Sequence, residues 1–146
     1  MNIQREQYRD ALENAIDSNN NHYLKTHFFT ICSQKTDYPI DHMKRDMKNI
    51  NRQINQFFIH KRRYKRSPNR IAFYSFFEKS KDKKLTHCHF IMRIPNFLKN
   101  KIEVIQSVLQ KYVSKICYSL TVKNKDYSIK YSTKYYSNHN DNFDVF

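Results

Sequence analysis

Three groups of residues have types and spacings suited to metal binding and nucleophilic chemistry. The first is His87-Cys88-His89, inside the strand-like run Leu85 to Ile94. Alternation along a strand puts both imidazoles on one face and turns Cys88 to the other, where it packs as a small hydrophobe. Two imidazoles at i and i+2 can grip one metal ion. The plain alternative is chance: with seven histidines, such a triplet arises in roughly a third of sequences of this composition. The second group is Glu78, at the end of the preceding strand-like run, Arg70 to Glu78. In a hairpin it lies beside the histidines, and a carboxylate with two imidazoles makes a mixed nitrogen–oxygen site suited to manganese or a similar divalent ion. Taken alone, Glu78 also reads as a solvated strand-end acid.

The third group is a tyrosine segment. Tyr127, Tyr131 and Tyr135 fall at i, i+4 and i+8, and Lys130 and Lys134 follow the first two by three residues. On a helix these share a face, so each of the first two tyrosines has a lysine one turn away. A phenol, with a pKa of about 10, is a poor nucleophile at neutral pH. A cation on a phosphodiester and an ammonium favouring phenolate would both help. Tyr-x-x-Lys also occurs at Tyr112-Lys115, and about one match is expected by chance. Tyr112 lies on an apolar helical stripe and reads as core packing.

The elements that must position these groups follow from periodicity. Residues 4–16 read as a helix, ended by Ser18-Asn19-Asn20-Asn21, and Leu24 to Ser33 as a strand. Pro39 and Asp41 open a second helix to about His60, with Met43, Met47, Ile50, Ile54 and Phe57 or Phe58 at helical spacing. The basic run Lys61-Arg62-Arg63-Tyr64-Lys65-Arg66 follows. Arg70–Glu78 and Leu85–Ile94 make an antiparallel hairpin about the polar turn at Ser80-Lys81-Asp82. Residues 99–115 form a third helix, 117–122 a short strand and 125–137 the tyrosine helix. The fold class is therefore α+β, one domain spanning 1–146. An antiparallel sheet of about four or five strands carries helices on one face and leaves the other for a site.

Composition narrows the partners. Lys and Arg number 27 against 13 acids, a net charge of +14, the footprint of a nucleic-acid ligand or, more blandly, of a well-solvated surface. Aromatics make up 15% of the chain, with 11 Tyr and 11 Phe, so there is ring surface enough for a core. Glycine is absent. That excludes a Walker A loop and a dinucleotide-binding fingerprint, both of which need backbone free of Cβ against phosphate. No apolar run reaches membrane-span length and the first residues are too polar for a signal peptide, so a cytoplasmic protein without a membrane partner is expected. Cys32, Cys88 and Cys117 are too scattered for a disulfide framework and read as reduced thiols.

The order and spacing of the three groups resemble the HUH (His-hydrophobic-His) endonucleases, specifically the Rep initiators of rolling-circle plasmids and single-stranded DNA viruses or phages. His27-Phe-Phe-Thr-Ile-Cys32 looks like the family's first motif, and Leu85-Thr-His-Cys-His-Phe-Ile-Met-Arg-Ile-Pro95 like its second. Glu78 precedes His87 by nine residues (87 − 78), where the family often carries a metal-binding acid. Lys130-Tyr-Ser-Thr-Lys134 is similar to the third motif, its tyrosine 42 residues after His89 (131 − 89). Cys88 departs from the usual apolar middle residue. Tyr127 matches members with two tyrosines spaced by four; Tyr131 has the better local context.

The resemblance implies a ferredoxin- or RRM-like palm and a Mn²⁺ or Mg²⁺ ion held by His87, His89 and Glu78. It implies attack by Tyr131 on single-stranded or hairpin origin DNA, support from Lys134, and a second transfer by Tyr127. Lys61, Arg62, Arg63, Tyr64, Lys65, Arg66 and Lys130 would then contact DNA, a separate helicase would open the duplex, and the setting would be a bacterial host or a virus-infected cell. The rivals are an HUH transposase or relaxase with the same chemistry, a non-catalytic RRM-like nucleic-acid-binding module, and a virion or chromatin-packing protein.

Overall fold

Two successive runs rich in aromatic and aliphatic residues, separated by a polar cluster, produce the central hairpin. In the computed structural model, which describes residues 23–59, 70–80, 82, 84–116, 118–123 and 143–146, the hairpin is β2 (Ala72–Lys79) and β3 (Thr86–Pro95). Its turn is tied where the polar cluster predicts: the Ser80 amide donates to the Leu85 carbonyl, and the Leu85 amide to Ser80 Oγ. Before it come β1 (Tyr23–Ser33) and α1 (Ile40–Phe58). After it come a 3₁₀ segment (Asn96–Lys101), α2 (Ile102–Lys115), β4 (Tyr118–Lys123) and β5 (Phe143–Val145). The sequence reading starts the helix at residue 99. Instead a tighter 3₁₀ turn follows Pro95 and buries Leu98 directly beyond the strand. The expected helices over 4–16 and 125–137 and the basic run Lys61–Arg66 lie outside the described residues.

The sheet order is β4-β1-β3-β2-β5, with every neighbouring pair antiparallel. β3 therefore lies between β1 and β2, each of which follows or precedes a helix. Without β5, the arrangement is the split βαβ, ferredoxin-like one. β1 carries an irregularity: Lys25 pairs with Arg93 but Phe28 with Ile91, so one extra residue sits in β1 as a bulge.

One face of the sheet packs on α1 and α2. Phe29 and Ile31 of β1, Phe73 and Phe77 of β2, and Cys88, Phe90 and Met92 of β3 meet Met43, Met47 and Ile54 of α1 and Ile105, Leu109 and Val113 of α2. Each fully buried aliphatic or aromatic side chain contributes roughly 1.5–3 kcal/mol. The Phe90 ring stacks on Phe29 at 5.1 Å and tilts against Phe73 at 4.7 Å. Cys88 packs here as a hydrophobe, and burial pushes its thiol well above the usual range. Phe58 joins this core while Phe57 is 64% exposed, and Tyr112 packs against it as expected.

Two polar devices lock the helix layer to the sheet. Asn55, fully buried, donates through Nδ2 to the Ile71 carbonyl at 2.9 Å and accepts the Ile71 amide at 2.8 Å. Asn51 Nδ2 donates to the same carbonyl. At the other end of α1, Asp46 Oδ2 accepts from both the Tyr38 and Tyr118 hydroxyls. Burial, and next that shared carboxylate, raise both phenols above the ordinary tyrosine range.

The opposite face of the sheet carries Glu78, His87 and His89. It is not bare: Ile91 is 0%, Phe76 6% and Tyr74 7% exposed. Among the described residues no helix is long and apolar enough to cross a membrane.

Candidate metal centre

Register brings the three polar side chains together. In the β2–β3 hairpin Glu78 lies directly opposite His87, and Phe76 opposite His89. Glu78 and His89 are thus diagonal neighbours on one face, within reach for long side chains. One ligand atom from each of Glu78, His87 and His89 can be chosen so that all three lie within 4.8 Å of one another. This is the set expected from the sequence.

The hydrogen bonding around the set fits a cation. His89 is 5% exposed, with Nε2 2.7 Å from Glu78 Oε1 and Nδ1 2.9 Å from Thr30 Oγ1. Thr30 reaches it because β1 pairs with β3 at Thr30↔His89. If Nδ1–H donates to Thr30, a lone pair on Nε2 faces a carboxylate oxygen, and only a proton or a cation between them makes that favourable. His87 Nε2 is buried and has no hydrogen-bond partner, a costly state for a polar nitrogen. Burial, and next the neighbouring His89, hold the His87 imidazole below the ordinary histidine range, while Glu78 opposes them. A neutral imidazole is the form that ligates a metal. Two imidazole nitrogens and one carboxylate oxygen form a mixed set that could hold a first-row divalent ion, Mn²⁺ among them, whereas Mg²⁺ is bound mainly through oxygens.

The neighbouring backbone is pinned as well. The Tyr38 carbonyl accepts from Lys79 Nζ at 2.6 Å and from Thr86 Oγ1. Lys79 and Thr86 are cross-strand partners, one residue from Glu78 and His87 respectively. Sequence reasoning missed both Thr30 and Tyr38. The signal for Thr30 was its parity: it is the polar residue between Phe29 and Ile31 in an otherwise apolar run. Tyr38 acts through its carbonyl, which no side-chain pattern marks.

Tyr127, Lys130, Tyr131 and Lys134 lie outside the described residues, as do Lys61, Arg62, Arg63, Tyr64, Lys65 and Arg66. The candidate centre is therefore described by Glu78, His87, His89 and their partners alone.

Thr30 makes a prediction about affinity. Partners of a ligating histidine's second nitrogen typically matter 10–100-fold. Thr30→Val is expected to weaken Mn²⁺ binding by roughly tenfold or more, read by electron paramagnetic resonance of free Mn²⁺. Because it also removes a hydrogen bond to the buried His89, at a cost of about 1–3 kcal/mol, the titration is made where the variant is shown to be folded. Unchanged affinity would show that Thr30 does not orient His89.

Compared with protein-family models, curated proteins and solved structures, the chain matches none.

Proposed function

We propose that this chain is a divalent-metal-dependent nicking and joining enzyme of the HUH class, acting on single-stranded or hairpin DNA as a rolling-circle initiator. The observation that carries the reading is the Glu78, His87 and His89 group on one face of a ferredoxin-like sheet. The net charge of +14 supports a polyanionic substrate.

Glu78, His87 and His89 would hold the ion, with Thr30 fixing the His89 ring. When bound, the ion supplies Lewis-acid neutralisation of charge on the phosphoryl oxygens. Tyr131 Oη attacks the phosphorus and gives up its proton. The phosphorus–O3′ bond breaks, the released 3′ oxygen takes a proton, and the 5′ phosphate remains esterified to the tyrosine. Lys134 supports the phenolate, and Tyr127 offers a second acceptor for the rejoining step. The free 3′-hydroxyl can prime replication, with a separate helicase opening the duplex in the host cell's cytoplasm.

Chain connectivity permits this. β4 ends at Lys123, which pairs with Phe28, one step beyond the Thr30–Thr121 row on the same face. Lys123 is about 12 Å from His89 by strand rise and spacing. Tyr131 comes eight positions after Lys123 (131 − 123), a span of up to about 28 Å.

The RRM-like rival would use the same face of the sheet to stack bases, but it gives the convergence of Glu78 with His87 and His89 no role.

The test is incubation with labelled single-stranded and hairpin DNAs, with Mn²⁺ or EDTA, followed by denaturing gels. Wild type should form a covalent protein–DNA adduct only with the metal, and Tyr131→Phe should abolish it. Tight binding without cleavage across a randomised pool would refute the assignment.

A further inference from the structure

A basic groove of about 660 Å³ opens in the helix layer, between α1 and the short β5 strand. Lys44 and Lys48, one turn apart on α1, line it with Arg45 and Arg70; Asp144 and Phe146 are on the opposing wall. Four cationic side chains thus converge on a concavity in which, among the described residues, Asp144 supplies the one acidic side chain. Arg45 and Lys48 are exposed, and Lys44 and Arg70 partly so. The groove is built as well as charged. Asn51, which also lines it, ties α1 to Ile71, the residue after Arg70. Phe146 is held to Phe73 by two backbone hydrogen bonds.

We propose that this groove is a second nucleic-acid site, which grips the sugar-phosphate backbone flanking the phosphate at the metal centre. The choice of polyanion rests on the nicking reading above. Arg and Lys together offer forked and point-charge donors to successive phosphates. The volume lies within the range of specific ligand sites, and six of the eight lining residues are polar or charged, Val145 and Phe146 being the exceptions. Position also favours a long ligand. From Phe73, beside the groove, to Glu78 is five residues along β2, about 17 Å, and the two sites lie on opposite faces of the sheet. A single nucleotide cannot touch both; a strand passing round the β5 edge can.

The test measures binding of a labelled hairpin DNA by anisotropy in EDTA, over a range of salt concentrations, for folded proteins checked by circular dichroism. Each phosphate contact contributes about 0.9 to the slope of log K against log salt. Lys48→Gln/Arg70→Gln should therefore lower the slope by roughly two, and the exposed Lys48→Gln alone by about one. Lys99→Gln/Lys111→Gln, on exposed positions elsewhere, removes the same charge and should leave the slope nearly unchanged. An equal fall in that control, or no fall in the groove variants, overturns the proposal. So does polyglutamate that binds as tightly as DNA and is lost in the same variants. A wild type that shows the expected slopes but never forms an adduct keeps the groove and removes the nicking reading.

Discussion

Alanine at both His87 and His89 is expected to reduce Mn²⁺ affinity by more than about a hundredfold, because losing ligands must exceed the 10–100-fold cost of losing their partners. Glu78 would remain as a lone carboxylate, and single carboxylates bind divalent ions no better than the rest of a protein surface. The double variant also strips the Glu78 carboxylate of its 2.7 Å partner. Removing such a partner costs about 1–3 kcal/mol, so the titration must be made where the variant is shown to be folded. Glu78→Gln provides the complementary arm. Its amide N–H can donate to the His89 Nε2 lone pair in place of the lost ion, but the charge is gone, so the change should weaken the metal while sparing the fold. Calorimetric titration with Mn²⁺ decides the matter. A wild type without a saturable site, or a double variant that binds as wild type does, would remove the metal from the account.

The second large effect is on stability. Asn55→Ala leaves the buried Ile71 amide with no acceptor and removes one of two donors to its carbonyl. An orphaned buried donor and a small cavity together cost about 2–4 kcal/mol, a fall in Tm of roughly 5–15 °C for a chain of this size. Equilibrium urea unfolding should show a lower midpoint at unchanged slope. A shift under about 0.5 kcal/mol, the range of surface substitutions, would mean that Asn51 alone anchors the start of β2.

Two strand-like runs about a polar turn made the hairpin legible, helical periodicity did the same for α1, and with the hairpin came the placement of Glu78 beside His87. A strand's period of two leaves little freedom once the turn at Ser80–Asp82 is located. Asn51 and Asn55 were harder. They occupy i and i+4 within the stripe of Met47, Ile50 and Ile54, where hydropathy treats them as breaks although each is buried. β5 escaped because three residues containing Asp144 carry no pattern, and an edge strand needs only its backbone to pair with β2. Thr30 could not be tied to His89 without knowing that β1 pairs with β3. Sequence alternation gives a strand's faces but not its neighbours.

All three candidate ligands lie within one hairpin, and Glu78 and His89 are only 11 positions apart. Thr30 and His89 are 59 apart, and Asp46 and Tyr118 are 72 apart. Hairpins close in about 1–10 μs, whereas contacts across such long separations must first overcome loop-closure entropy. The ligand set is therefore available early in folding, before the scaffold that refines it. A cation captured then would speed hairpin formation, and the orientation of the His89 ring by Thr30 would arrive only when β1 docks.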